Sequence, residues 1–211
     1  MKKYKLTDET MHIYGRTLYR IEAVKEFADV KKGDKGGWVE SENNLSQDGN
    51  CWIYDNAKVY DDDARVMGNA CISGEAEVYH DAKVYGNALI YGRAIVYDNA
   101  KVYDDADVYD DAKIYGNAEV YGNALIYGRA IVYDNAKVYD DADVCEDAKV
   151  FEDAEVFGNA YVFGNSEIYG YAKVYENAEA YGDVKIYGNA KVYGYATVQW
   201  NAKVYGTDEV Y

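Results

Sequence analysis

The sequence predicts an all-β protein, a triangular parallel β-solenoid built from 18-residue coils, and three observations carry that prediction. A six-residue unit, Ala-x-Val-Tyr-(Gly/Asp)-(Asn/Asp), runs from about Cys51 to the end of the chain. Its alanine slot falls at Ala57, at Ala64 after one inserted residue, and then every six residues to Asp208, giving 26 hexads. The string YGNALIYGRAIVYDNAKVYDDADV also occurs twice, at 85–108 and 121–144, displaced by 36 residues, or two turns of an 18-residue coil.

Each slot has a physical reading. The first slot is Ala in 23 hexads, the exceptions being Ser166, Val184 and Asp208, and the third is Val or Ile in all but Ala180. With a variable residue between them, they alternate inward and outward as a very short strand requires. The fourth slot is aromatic in 22 hexads, so stacking coils about 4.8 Å apart predicts tyrosine ladders such as Tyr85, Tyr103, Tyr121 and Tyr139, or Tyr97, Tyr115 and Tyr133. The fifth and sixth slots form a corner, with Gly in 14 fifth slots and mostly Asn or Asp in the sixth, the residues that tolerate positive φ. Three sides follow from packing, since one Ala and one Val per side fill a narrow bore and a wider polygon leaves voids. Ala180 and Val184, one hexad apart, exchange small for large across the bore.

Outside the repeat, Ile13-Tyr14-Gly15-Arg16-Thr17-Leu18 reads as a hairpin turning at Gly15. It predicts a cap and lead-in over 1–37, with the solenoid over 38–211.

The hexad Val-Tyr-Gly-Asn-Ala-Lys resembles the hexapeptide repeat of left-handed parallel β-helices, and the resemblance, not the spacing, implies the left hand, against the usual right-handed crossover. The stretch GGWVESENNLSQDGNCWIYDNAKVY (36–60) resembles the lead-in of bacterial hexapeptide-repeat proteins often labelled acetyltransferases. That family implies acyl transfer with a histidine base and a substrate loop thrown out of the prism.

Composition bounds the function. The 211 residues carry 22 basic and 38 acidic side chains, a net charge of −16, which disfavours direct binding to nucleic acid or an anionic membrane surface. Three cysteines without framework spacing, and Lys2 and Lys3 where a signal peptide would begin, point to a reduced cytoplasmic setting. Neither a metal nor a cofactor is expected: two histidines cannot supply a three-histidine zinc site, and no phosphate-binding glycine loop opens a helix. His12 lies in the cap, His80 reads as a corner residue, and the spacing from Ala64 to Asp208 never breaks to extrude a loop. On these grounds the chain is expected not to be an enzyme.

The expectation that remains is a non-catalytic binding or scaffold protein that engages a protein partner or a second copy of itself. Leu89, Leu125, Ile95 and Ile131 occupy outward slots where charged residues are usual. With Tyr91, Tyr97, Tyr127 and Tyr133 they form the candidate contact patch. The alternative is an acidic decoy that imitates a duplex in the groove of a basic nucleic-acid-binding enzyme, using the corner pairs Asp104 with Asp105, Asp110 with Asp111, and Asp140 with Asp141. The acyltransferase implied by the resemblance stands third.

Overall fold

The computed structural model describes residues 2–211, and among them all regular structure is β. No helix is long and apolar enough to cross a membrane. The repeat winds into three walls. Two hold nine parallel strands each and the third twelve, counting three N-terminal strands. The repeat strands are two residues long, except Glu179–Gly182 and Thr197–Trp200 at four, and pair with their equivalents one coil on: Leu89 with Asp107 and then Leu125, Ile95 with Lys113 and then Ile131, Lys101 with Glu119 and then Lys137. The 18-residue coil and three sides are therefore as the sequence predicts. Before Ala64 the step is 19, as in Lys58 with Glu77, because of the inserted residue near Asp62.

The bore holds the first and third slots. From Ala57 to Val192 the alanines and Val/Ile side chains are essentially inaccessible, including Ala180 and Val184, and Ser166 satisfies its hydroxyl by donating to Phe163 O at 2.8 Å. This is one continuous apolar core rather than a string of separate ones.

The corners separate two roles that composition merges. Positive φ belongs to the fifth slot in every hexad that completes it, whether Gly122 (φ 71), Asp140 (φ 59), Glu146 (φ 58) or Trp200 (φ 65). The sixth slot does not need it. Its asparagines instead form side-chain ladders between coils, Asn69 donating to Asn87 at 2.9 Å, Asn87 to Asp105 at 2.8 Å, and Asn123 to Asp141 at 2.9 Å. Carboxylates in the fifth slot accept from the backbone N–H one coil on, as Asp140 does from Gly158 at 3.3 Å and Glu146 from Gly164 at 3.0 Å.

Corner backbones pack closely, and Gly122 illustrates the consequence: a Cβ there sits 2.7 Å from the amide nitrogen of Asp140. Gly122→Val, β-branched and at positive φ, is expected to cost about 1–3 kcal/mol, read as a lower urea midpoint with an unchanged slope. An unshifted midpoint contradicts the corner packing.

Two aromatic ladders run unbroken. One stacks nine rings from Tyr60 through Tyr79, Tyr97, Tyr115 and Tyr133 to Tyr205, and the other eight from Tyr85 to Tyr211. Centroids lie 4.8–5.8 Å apart in the second. The third ladder, Tyr91–Tyr109–Tyr127, stops at Cys145, a fourth-slot exception.

Stacking buries the phenols, and burial raises the pKa values of Tyr79, Tyr109 and Tyr133 to about 12. A raised pKa in the folded state contributes stability that is complete below the ordinary tyrosine value of about 10 and disappears as pH climbs through the raised range. Phenolate absorbance should therefore lag behind that of unfolded tyrosine and appear together with loss of the β-sheet dichroism. Full ionisation near pH 10 with the dichroism intact contradicts this.

At the N-terminal end, strand β1 (Tyr4–Ile13) pairs antiparallel with β2 (Arg16–Ala23), the turn being Tyr14-Gly15. β2 pairs antiparallel with β3 (Lys35–Val39), which starts the parallel wall through Lys58–Val59. Tyr4 donates to Leu45 O at 2.7 Å, and the buried Lys3 ammonium donates to Cys51 O at 2.8 Å. These contacts fix the hairpin against the first coil and set the angle at which its tip overhangs the prism.

Candidate functional site

The seam between hairpin and prism brings together residues far apart in the chain. The Tyr14-Gly15 turn needs positive φ at both positions (49 and 78), as expected for a tight two-residue hairpin. It sets Arg16 at the start of β2. The Arg16 guanidinium donates to both oxygens of Glu40, at 3.1 and 2.9 Å, and pairs with Asp61. Glu40 also accepts from the Asp61 amide at 2.8 Å, so the corner carrying the inserted residue is tied to the hairpin.

From there the network reaches His80. Asp61 accepts from the His80 amide at 3.1 Å, and the His80 ring places Nδ1 3.0 Å from Asp98 Oδ1. An ionised carboxylate can only accept, so this contact puts a ring proton on Nδ1, and in the neutral ring the lone pair is then on Nε2. Nε2 lies 4.0 Å from Asp61 Oδ2, too far for a hydrogen bond. Tyr79 and Tyr97 stand edge-on to the ring, with centroids at 4.9 and 6.4 Å. His80 is thus an oriented imidazole, half exposed, held by a carboxylate one coil away.

Two hollows meet at this ring. The first, about 650 Å³, is lined by Arg16, Asp61, Asp62, Asp63, His80, Asp81, Asp98 and the Asn99, Gly116 and Asn117 corners. The second, about 400 Å³, shares Arg16, Asp61 and His80 and adds Tyr14, Tyr60, Glu77, Tyr79 and Ile95. One side of the ring is acidic and the other aromatic.

Of the residues singled out from sequence, Ile95 lines the second hollow and Tyr97 stands against His80, and the others lie away from this seam. Leu89, Tyr91, Leu125 and Tyr127 belong to one wall, and Ile95, Tyr97, Ile131 and Tyr133 to the adjacent one. Between them stands the corner of Arg93 and Arg129, which pair with Asp111 and Asp147 at 2.7 and 2.5 Å. Of the acidic pairs, Asp105 and Asp141 close asparagine ladders, Asp111 pairs with Arg93, and Asp110 and Asp140 accept corner amides. Sequence reasoning misses Arg16, Asp61 and Asp98 and reads His80 as a turn residue. The one available signal is the extra residue at Asp61–Asp63, the single break in the hexad spacing, at the corner that faces the hairpin.

No family model matches the chain. Over 67 residues it is 37% identical to the Escherichia coli (strain K12) protein named "Uncharacterized acetyltransferase YdcK", a match covering 28% of this chain and 21% of that protein. The matched segment is thus about a fifth of the relative's length. This similarity corrects the expectation that the chain is not an enzyme, because the relative carries an acetyltransferase name. That expectation rested on the lack of a loop extruded from within the repeat, whereas a hollow is formed at the seam between hairpin and prism. Hexad spacing and three stacked parallel walls make the chain a hexapeptide-repeat β-solenoid, and the segment shared with this relative agrees with the resemblance carried by the repeat.

Proposed function

We propose that the chain is an acyltransferase whose general base is His80. The observation that carries this reading is the 3.0 Å contact from His80 Nδ1 to Asp98, which orients the ring beside a cleft of about 650 Å³. An activated acyl donor, such as an acetyl thioester, would be attacked by an amine or hydroxyl of the acceptor. As the bond from acceptor atom to acyl carbon forms, the acceptor proton passes to His80 Nε2. The carbon–sulfur bond breaks, and the departing thiolate takes the proton from the imidazolium. Asp98 stabilises the positive ring during transfer without accepting its proton, and Asp61, held by Arg16, borders Nε2 as a second carboxylate.

The test uses the full chain with acetyl-coenzyme A and a panel of amine and hydroxyl acceptors, reading release of free thiol. Acceptor-dependent release supports the assignment. Release no faster than spontaneous hydrolysis across the panel overturns it.

A second reading, of a protein-binding surface, is favoured by the wall that carries Leu89 and Leu125. Between Cys71 and Tyr161 its outward column has no basic residue, reading Leu89, Asp107, Leu125, Asp143 beside Tyr91, Tyr109 and Tyr127. Burial, reinforced by Asp105 and Asp141, raises the pKa values of Asp107 and Asp143. Such a strip suits a basic partner with apolar side chains. Leu89→Asp with Leu125→Asp should release a partner retained by the native protein on a lysate column, and retention unaffected by the pair argues against this wall.

A further inference from the structure

The walls of the His80 cleft bear on which acceptor it takes. The acidic hollow presents five carboxylates against the single guanidinium of Arg16, and that guanidinium is already engaged by Glu40 and Asp61. Asp63 pairs with Arg65 at 3.6 Å, whereas Asp62 and Asp81 make no ion pair among the described residues. Their charge is therefore left for whatever enters. An anionic or phosphorylated acceptor would meet uncompensated repulsion here, and a cation would meet partners.

The other hollow supplies an independent observation. Tyr14 sits at the hairpin tip with φ 49 and is 81% exposed, an uncommon conformation and an uncommon exposure for an aromatic residue. Tyr14 lines the hollow with Ile95, Tyr60 and Tyr79, and because Tyr60, Tyr79 and Tyr97 stack face to face at 5.0 and 5.1 Å, the space beside Nε2 is bounded by apolar ring edges as well as by acid. Carboxylates beside apolar ring edges recognise ammonium groups carried on alkyl chains: the charge meets acid, and the methylenes meet the rings. The two hollows join at His80, so a chain crossing both would place an amine at the base with a second ammonium on the acidic side.

We infer that the acceptor is an aliphatic polyamine, one of whose primary amines is acylated at His80 while another ammonium is held by Asp62, Asp63 and Asp81. This rests on acyl transfer at the same cleft. The amine nitrogen forms the new bond to the acyl carbon, one of its protons leaves through His80, and the donor's thiol is released. The attacking nitrogen reacts as its neutral free base and becomes a neutral amide, while the ammonium held by the aspartates keeps its charge.

Binding can be measured apart from chemistry. Spermidine is titrated into the full-length protein without any acyl donor, following both heat and the His80 ring resonance, with an uncharged diol of similar length as control. Expected are saturable binding of spermidine and none of the diol, a Kd weakened by added salt, and a Kd roughly tenfold or more weaker in Asp62→Asn with Asp63→Asn. Both residues are exposed, so this variant folds, and unchanged melting confirms it. Tyr14→Ala should weaken binding several-fold. Absence of saturable binding, equal binding of the diol, or a Kd indifferent to the double substitution overturns the inference. Spermidine binding without thiol release on adding acetyl-coenzyme A would leave the polyamine site standing and sink acyl transfer. Transfer to hydroxyl acceptors without spermidine binding would do the reverse.

Discussion

Ala118→Asp is expected to destroy the middle of the prism. Ala118 is wholly inaccessible, and the bore around it holds only alanine and branched aliphatic side chains. A carboxylate there has no cation and no donor within the bore, because the neighbouring backbone amides are committed to turns and coil-to-coil bonds, such as Lys101 N to Ala118 O at 2.9 Å. Leaving a buried charge uncompensated costs about 3–5 kcal/mol, and for a chain of this size each kcal/mol lowers Tm by roughly 2–4 °C. A fall in Tm on the order of 10 °C is expected, together with low soluble yield. The sequence supplies its own control. Asp208 occupies the same slot, but its side chain is exposed and accepts from the Tyr205 amide at 3.3 Å. Asp208→Ala should therefore shift Tm by little. In Ala118→Asp the deficit should shrink as pH falls, since the buried carboxyl's raised pKa makes it neutral under conditions where Asp in the unfolded chain is still partly ionised. Because each coil touches only its neighbours, the damage should stay local, and amide exchange should accelerate around residues 100–136 before it does at the N-terminal end. A variant that melts like the native protein would remove the buried bore.

The repeat was readable because everything that makes a coil lies within six residues. Alternation assigns the bore, and 18-residue pairing follows once the number of sides is argued from the volume of Ala and Val. The corner was only half readable. Asn87 and Asn123 look like φ-tolerant turn residues, yet their work is side-chain bonding to Asp105 and Asp141 one coil away, a relation that appears only when coils stack. The same stacking brings Asp105, Asp110, Asp111, Asp140 and Asp141 into corner hydrogen bonds, and it puts the Leu89 and Ile95 groups on different walls across an Arg–Asp corner. The site was the least legible part, for a specific reason. Arg16 and Asp61 are 45 positions apart, and nothing in either local pattern says that the hairpin folds over that corner. The inserted residue at Asp61–Asp63 marked the place, and a lone corner histidine beside it was the clue available.

His80→Gln is expected to lower the rate of acyl transfer by about 10²–10⁴, the range supplied by a positioned general base, with little effect on Tm. Gln keeps the corner shape and a hydrogen-bonding group near Asp98 but cannot take the acceptor proton. The corner itself should tolerate the change: His80 is half exposed, and other fifth slots at the same φ carry Asp, Glu and even Trp200. Asp98→Asn separates orientation from mere presence of the imidazole. Asn can donate to Nδ1, so the ring can flip its proton to Nε2 and lose the free lone pair where the acceptor arrives. The loss in kcat should approach that of His80→Gln, since both substitutions remove the proton acceptor at Nε2. The double variant should be no slower than the worse of the two single variants, since both remove the same proton acceptor, and groups acting as a unit are not additive. Multiplying losses in the double variant would mean that Asp98 acts independently of the ring. If His80→Gln leaves the rate of thiol release unchanged, the imidazole is a corner residue after all, and catalysis must be sought outside this cleft.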